Sequence, residues 1–310
     1  MNASVEQAGT RGDSPGSGLR PGWIAALVAG VAMLVVIAVT AAFTVFRDQP
    51  ASDSGEAVAS VPSLSPGQPA SREPRVEPAD FDLRDLSVPT IESVFPAMPR
   101  TRVSSLGDLP GKVAVPARDL TPVWAAADVS KRPRLALAAT QYDYAARWLV
   151  LDTKNDMVKV LLPYGRGALP SADPEAVNGV SGWLRTKDVT IEREDRSIVI
   201  DLSDRVVEVD TGDGPTTTLP AGIGTPATPT PQGLTQVMTV TTASNTGLSL
   251  FLSAQSESLD TFAGVNYAAT ALHVGVGQGQ EISNGCIRLT PEGLDAVKDL
   301  PAGVPVLVRA

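Results

Sequence analysis

The sequence is poor in the residue types from which many protein sites are built. It contains one Cys and one His among 310 residues, and only 5% of its residues are aromatic. One Cys cannot form an internal disulfide, and one Cys with one His cannot supply the three or four ligands of a Cys/His zinc site. Nothing else in the sequence points to a bound group, so we expect no metal and no cofactor.

Basic runs are also absent. No stretch of five or six Lys and Arg occurs, and the formal net charge is -9 with a sequence pI near 4.7. A phosphate backbone is repelled by such a surface, so nucleic acid is the least favoured partner class. The chain does have 43% hydrophobic residues together with 26 Pro and 27 Gly. This composition predicts β-rich modules joined by irregular chain.

One long apolar run interrupts the polar N-terminal region. Residues 23–46 carry no charge, and at ~1.5 Å per residue they form about 36 Å of helix, enough to cross a ~30 Å hydrocarbon layer. A cleaved secretory signal is the competing interpretation, but its apolar region is normally shorter and follows a short basic start. Arg11 and Arg20 precede the run and Arg47 follows it, which favours a cytoplasmic tail at residues 1–22. We therefore predict a single-pass protein of the cell membrane, in contact with the bilayer through this helix, with its remaining residues on the extracytoplasmic side.

The segment after this helix has the composition of a tether. Residues 48–80 contain six Pro, six Ser and no aromatic residue, so they cannot bury enough apolar surface to order themselves. The first strand signal comes at Lys112, and the sequence gives no role for residues 81–111. The tether is therefore assigned to residues 47–111.

Two mostly β segments follow, at residues 112–192 and 196–310. Short apolar runs separated by Pro, Gly, Asp and Asn predict a small barrel or sandwich in the first segment. Its stretch RWLVLDTKNDMVKVLLP, followed by GVSGWLRTKDV, loosely resembles bacterial SH3-like domains. A wall-binding module and a spacer barrel without a ligand fit this stretch equally well. In the second segment only residues 291–300 have the apolar spacing of a surface helix.

The only His and the only Cys lie in one 14-residue segment, from His273 to Cys286. A lone thiol outside the membrane is exposed to oxidation, so it is either buried as a small hydrophobe or used chemically. Ser283, Asn284 and Gly285 before the Cys are turn residues, and a short apolar strand follows it. This pattern predicts a thiol at a loop-to-strand junction, with the Gly285 and Cys286 amides available to a developing oxyanion.

The same residues carry a resemblance to a known family. HVG, SNGCIRL and PEGLDAVKDLPAGVPVLV resemble the end of the YkuD-type L,D-transpeptidase domain, in which a His precedes a Ser-x-Gly-Cys block by some 13 to 20 residues. The segments TPATPTPQG, residues 225–233, and LSAQSESLDTF, residues 252–262, are also similar to family segments. The resemblance covers residues 196–310 and implies a β-sandwich-like catalytic domain with few helices.

The resemblance implies a role for each matching residue. Cys286 would be the nucleophile and His273 the base, with an oxyanion hole at Gly285 and Cys286. Ser283 would shape the turn and hydrogen-bond near the His, and Arg288 would hold a substrate carboxylate or brace the loop. Asn284 stands where the family often has His; because Asn cannot act as a base, all proton transfers would fall on His273. An imidazole that accepts the thiol proton would give an ion pair able to attack an amide carbonyl.

The resemblance implies cysteine acyl transfer on peptidoglycan stem peptides, with a cross-link between two diaminopimelate residues as the product. If water replaces the acceptor amine, the same site is an L,D-carboxypeptidase. A non-catalytic wall-binding protein with a degenerate transpeptidase domain is the alternative from another class. A cysteine peptidase of the NlpC/P60 type is disfavoured, because in that type the Cys precedes the His. The oligomeric state is not predictable from the sequence.

Two further groups of residues have more ordinary interpretations. Trp124, Trp148 and Trp183 are interpreted as core residues rather than as a sugar-binding platform. Glu257 and Asp260 are interpreted as carboxylates of a solvated loop rather than as an acid pair.

Overall fold

The computed structural model describes residues 78–142 and 144–310, which lie in one compact unit spanning Ser71–Ala310. The predicted cytoplasmic tail, the predicted transmembrane helix at residues 23–46 and the first part of the predicted tether lie outside the described residues. Among the described residues, no helix has the length and apolar character needed to cross a membrane. For the part of the chain that the structure describes, the prediction of a mostly β architecture with few helices is confirmed.

The first β-module, residues 112–193, is an antiparallel arrangement. Its strands are β1 (Lys112–Pro116), β2 (Leu120–Val123), β3 (Leu135–Ala138), β4 (Thr140–Gln141), β5 (Tyr144–Ala145), β6 (Trp148–Lys154), β7 (Met157–Leu161), β8 (Ser181–Arg185) and β9 (Val189–Arg193). Five of them form a sheet in the order β8-β7-β6-β1-β9, while β2 pairs with β3 and β4 with β5. Short 3₁₀ helices lie at Pro174–Ala176 and Thr186–Asp188. The resemblance of this module to SH3-like domains stays a prediction.

The three tryptophans of the first β-module lie in its core. Trp124 and Trp148 are almost fully buried, and Trp183 is 9% exposed. Trp124 and Trp183 form an isolated antiparallel bridge, and the Trp124 indole donates to the Lys131 carbonyl at 2.7 Å. These side chains therefore pack in the interior, as expected from the sequence, and do not form an exposed platform.

Residues 81–111, the last part of the predicted tether, pack against the folded unit. They contain 3₁₀ helices at Leu83–Asp85 and Leu106–Asp108, and Ile91 is buried. Leu106 packs against a cluster that includes buried Leu149. The composition of this segment gave no sign of this packing, because its apolar residues follow neither a helical nor a strand period.

The second β-module, residues 197–309, contains the largest sheet. Its elements are β10 (Ser197–Asp201), β11 (Val206–Asp210), β12 (Thr217–Pro220), β13 (Ile223–Gly224), β14 (Gly233–Ala243), β15 (Gly247–Gln255), β16 (Ala269–Val274), β17 (Glu281–Ser283), β18 (Ile287–Leu289), α1 (Pro291–Asp295) and β19 (Pro305–Arg309). Eight strands form a sheet in the order β12-β11-β10-β19-β14-β15-β16-β18. Strands β16 and β18 are parallel, as are β10 and β19. One buried cluster of aliphatic side chains, which includes Leu250, Leu272 and Ile287, covers one face.

Helix α1 is shorter than the helix predicted at residues 291–300. It ends at Asp295, and residues 296–299 continue as turns. Pro301 restricts the residue before it to extended conformations, which works against helix at the end of this segment. Leu294, Val297 and Leu300 are nevertheless buried in the core of the second β-module, so the apolar spacing did identify the side that packs.

Gln236 joins the two β-modules. It lies on β14 and is fully buried. Its Oε1 accepts from the Leu149 amide at 2.8 Å, and its Nε2 donates to the Leu161 carbonyl at 2.9 Å. Both partners belong to the first β-module, so one amide side chain satisfies two buried backbone groups across the junction.

Candidate active site

The His and the Cys lie at one edge of the largest sheet, where β16 and β18 run in parallel. His273 is in β16, Cys286 immediately precedes β18, and the register pairs His273 with Arg288 and Leu272 with Ile287. Leu272 and Ile287 point into the core, so alternation places His273 and Arg288 on the opposite face. With a ~4.8 Å strand separation and two residues of offset, the Cα atoms of His273 and Cys286 lie about 8 Å apart.

Cys286 lies in the wall of a cavity of about 230 Å³. The floor of this cavity comes from β15 and β16, and its two walls come from the connections at either end of β15. The lining residues are Ala243, Ser244, Asn245, Thr246, Phe251, Phe262, Ala263, Val265, Tyr267, Ala269, Ala271 and Cys286. Cys286 as a residue is partly exposed and contributes to this lining, so an acyl group held in the cavity would lie next to it.

The turn before Cys286 is held by Ser283. Its hydroxyl accepts from the Gly285 amide at 3.1 Å and donates to the Cys286 carbonyl at 2.5 Å. Gly285 has a φ of 104°, which is favourable for glycine and strained for other residues. The Gly285 amide is therefore committed to the turn, whereas the Cys286 amide has no hydrogen-bond acceptor among the described residues. Asn284 is exposed, and its side chain lies 3.5 Å from the Thr228 hydroxyl.

The TPATPTPQG segment, residues 225–233, is hydrogen-bonded to the turn before Cys286. Strand β13 pairs in parallel with β17, and the Thr225 amide donates to the Ser283 carbonyl at 3.0 Å. The Thr228 hydroxyl donates to the same carbonyl at 3.1 Å, although the two residues are 55 positions apart in the sequence. Two segments that were singled out in the sequence thus meet at the turn that precedes the thiol.

The electrostatic environment favours the neutral form of both side chains. Burial raises the pKa of the Cys286 thiol, although a hydrogen bond with the backbone of Ala271 and the positive charge of Arg288 act in the other direction. Burial also lowers the pKa of His273; its hydrogen bond to Val274 opposes this, and the charge of Arg288 adds to it. The sequence suggested a thiolate-imidazolium pair, whereas these shifts favour a neutral thiol beside a neutral imidazole.

The hydrogen bond of His273 sets its tautomer. Its Nδ1 lies 2.9 Å from the Val274 carbonyl oxygen, which can only accept, so Nδ1 carries the proton. This leaves the lone pair of Nε2 available to accept a proton. The ring is thus oriented by Val274, and not by Ser283, whose hydroxyl is engaged within the turn.

Arg288 shares the face of the sheet that carries His273. Its guanidinium lies 3.5 Å from the Val276 carbonyl, in the loop between β16 and β17. A Cβ on Gly275 would lie 2.9 Å from the Arg288 side chain, so this loop packs closely over it. Both implied roles, bracing the loop and presenting a cation near the site, are consistent with this position.

The sequence did not predict which residues form the walls of the cavity. The hairpin residues 243–246 and the loop residues 262–267 face Cys286, although only residues 252–262 carried any family signal.

Glu257 and Asp260 act in this connection as anchors: Glu257 accepts from Asn178 at 3.1 Å, and Asp260 accepts from Ser171. Neither of them lines the cavity at Cys286, and both are hydrogen-bonded to the first β-module rather than free on the predicted solvated loop. Among the described residues, no group of three or more His, Cys, Asp and Glu could hold a metal ion.

Comparison with known proteins identifies the C-terminal part of the chain. Residues 195–308 match the family model of the L,D-transpeptidase catalytic domain, YkuD. The resemblance predicted from the sequence is therefore confirmed for this region. None of the curated proteins compared with the chain matches it.

Solved structures that are similar to the chain include several L,D-transpeptidases. One from Mycobacterium smegmatis is 17% identical, covering 50% of this chain and 91% of that chain at a TM-score of 0.31. L,D-transpeptidase 3 from Mycobacterium tuberculosis is 15% identical, covering 52% and 97% at a TM-score of 0.33. The catalytic domain of the E. faecium L,D-transpeptidase is 23% identical, covering 38% and 99% at a TM-score of 0.28.

Proposed function

We propose that the protein is a peptidoglycan L,D-transpeptidase that works through a thioester on Cys286. The observation that carries the proposal is the placement of the only imidazole of the chain in β16 and of the only thiol immediately before the adjacent parallel strand β18, with the thiol in a cavity wall. The match of residues 195–308 to the transpeptidase catalytic domain supports the same reaction class.

The first half of the reaction uses the neutral pair. As the sulfur attacks the carbonyl between diaminopimelate and D-Ala, the thiol proton moves to Nε2 of His273. The imidazolium then gives this proton to the departing amine, the C–N bond breaks, and D-Ala leaves. The stem tripeptide remains bound to Cys286 as a thioester.

The second half reverses the proton path. The side-chain amine of a second stem attacks the thioester and gives a proton to Nε2 of His273. The C–S bond breaks, and the sulfur recovers its proton from the imidazolium. The product is a cross-link between two diaminopimelate residues. Every proton transfer in this mechanism takes place at Nε2, and Nδ1 keeps the proton that it shares with the Val274 carbonyl.

The groups around the pair have roles that follow from their contacts. The Cys286 amide is the oxyanion donor in this proposal, because the Gly285 amide already donates to Ser283. Arg288 supplies a positive charge that favours the thiolate formed during attack, and it attracts the carboxylate of the donor stem. Asn284, exposed at the rim of the turn, is in a position to contact substrate.

The remaining parts of the chain fit an enzyme that acts on an immobile polymer. In this proposal residues 23–46 anchor the protein in the cell membrane, and the residues that follow reach the wall on the extracytoplasmic side. The first β-module would either bind the wall or act as a spacer. Stem peptides are the substrates as both donor and acceptor.

The test is the product formed from a disaccharide tetrapeptide ending in D-Ala. Full-length protein is incubated with this substrate, and products are identified by mass spectrometry, with Cys286→Ala as the inactive control. We expect D-Ala release and a tripeptide-tetrapeptide dimer. Release of D-Ala with only tripeptide monomer would identify a carboxypeptidase. No release from the native protein would favour the non-catalytic wall-binding alternative.

A further inference from the structure

Arg166 of the first β-module reaches into the second β-module and binds the loop that walls the cavity. It lies in the connection between β7 and β8, residues 162–180, and is 1% exposed. Its Nη1 donates to the Asp260 carbonyl at 3.0 Å, and its Nη2 donates to the Asn266 carbonyl at 2.9 Å. The two acceptors bracket the stretch that contributes Phe262 and Val265 to the cavity wall.

The same two connections meet at further polar contacts. The Ser171 hydroxyl donates to the Asp260 carboxylate at 2.6 Å, and the Ser171 amide donates to the same carboxylate at 2.9 Å. Asn178 donates to the Gln255 carbonyl and accepts from the Gln255 amide. The β15–β16 connection, residues 256–268, is therefore held by the first β-module at its start and near its middle as well as at Asn266.

Apolar side chains that line the cavity also pack against the first β-module near Arg166. Tyr164, two residues before Arg166, is buried in a cluster with Ile91. Phe251 and Tyr267, which both line the cavity, pack against this cluster. The cavity at Cys286 is thus shaped from outside the transpeptidase-like module.

We propose that Arg166 is a positioning residue that holds the β15–β16 connection over the cavity, so that the first β-module determines how the acyl donor is seated beside Cys286. The consequence for turnover rests on the proposed function, whereas the consequence for access to the thiol does not. Arg166 does not touch the reacting groups, and it acts only through residues 260–266.

The chemistry of the contact requires an arginine. A guanidinium presents donors in a rigid plane and can bind two carbonyls at once, whereas a lysine ammonium is a single point charge. The backbone of Arg166 is itself held, since its amide donates to the Ser93 carbonyl and its carbonyl accepts from the Phe95 amide. The side chain of Arg166 therefore extends from a fixed backbone. A Lys at this position would lose the hydrogen bond to one of the two carbonyls.

The experiment compares two alkylating reagents on Cys286, the only Cys of the full-length chain. Iodoacetamide is much smaller than pyrene maleimide, so its access to Cys286 should depend less on the position of the loop that walls the cavity. In Arg166→Met we expect the ratio of the pyrene maleimide rate to the iodoacetamide rate to rise about tenfold. Arg166→Lys should give an intermediate ratio. For the tetrapeptide donor, KM should rise about tenfold with a smaller change in kcat.

Controls separate positioning from general destabilisation. Arg185→Met removes an arginine that pairs with buried Asp188 in the first β-module, away from the cavity loop, and should leave the ratio unchanged. Ser171→Ala removes a surface contact of the loop, so it should raise the ratio even if Arg166→Met does not fold. An unchanged ratio in both Ser171→Ala and Arg166→Lys would overturn the proposal. A native protein that releases no D-Ala would overturn the proposed function, while the alkylation ratio would still decide the role of Arg166.

Discussion

Nδ1 of His273 and the carbonyl oxygen of Val274 lie 2.9 Å apart. Because a carbonyl only accepts, this contact fixes the proton on Nδ1 and leaves Nε2 as the basic nitrogen. A neutral imidazole with this tautomer can take the thiol proton during attack. In the proposed mechanism Nε2 is therefore the nitrogen that acts as the base.

The pH dependence of acylation should follow His273. Burial lowers its pKa, so the imidazole stays neutral to more acidic pH than an exposed His. The base is lost as pH falls through this pKa, so the acid limb of kcat/KM for the donor should have its midpoint below about 6.5. Steady-state kinetics across the acid and neutral range would measure it; a midpoint clearly above the ordinary value would contradict the assignment.

Alkylation of Cys286 should report the raised pKa of the thiol. Iodoacetamide reacts with the thiolate, which in this site forms only at a pH above the ordinary range because burial disfavours the charge. The alkylation rate should therefore still be rising at a pH of about 9, above the ordinary thiol pKa of ~8.5. A rate that is already maximal at neutral pH would indicate a preformed ion pair instead.

Ser283→Ala should loosen the turn that presents the thiol. The substitution removes the acceptor of the Gly285 amide and the donor to the Cys286 carbonyl, both in a buried setting. We expect a loss of about 1–3 kcal/mol in the free energy of unfolding and slower acylation by the donor. Thermal unfolding and acylation kinetics would measure the two effects. Ser283→Thr keeps the hydroxyl and should restore part of both.

Gly285→Ala should be strained by its backbone conformation. The φ of 104° is unfavourable for any residue with a Cβ, and that Cβ would lie 3.3 Å from the Pro229 carbonyl oxygen. The expected cost is about 1–3 kcal/mol of stability, together with a displaced Cys286. Gly214→Ala, which meets no atom within 4 Å, is the matched control. Equal stability of the two variants would show that the turn relaxes freely.

Gln236→Leu should weaken the junction between the two β-modules. It leaves the Leu149 amide and the Leu161 carbonyl buried without their partner. We expect a loss of about 2–5 kcal/mol in the free energy of unfolding. Denaturant unfolding would measure it, and an unchanged midpoint would mean that water satisfies both groups.

The sequence was sufficient for the parts of the fold with short-range signals. Alternating apolar residues and turn residues predicted the strands, and Ser283, Asn284 and Gly285 predicted the turn before the thiol. The apolar spacing in residues 291–300 identified buried Leu294 and Val297, although the helix itself ends earlier.

The long-range contacts of the fold could not be predicted from the sequence. Arg166 and Asn266 are 100 residues apart, and nothing in the residues around either one indicates that they meet. Cys286 does lie at the predicted loop-to-strand junction, but the sequence did not predict that burial raises the pKa of its thiol. Such burial depends on packing between distant strands, which local patterns do not encode.

The most direct test of the account is the rate at which Cys286 is acylated by a carbapenem. The thiol opens the lactam ring with no leaving group, so peptide mass spectrometry should find the whole reagent mass on the peptide that contains Cys286. In His273→Gln the rate should fall by about 10²- to 10⁴-fold. Absence of the adduct on native protein, or an equal rate in the His273 variant, would contradict the central claim.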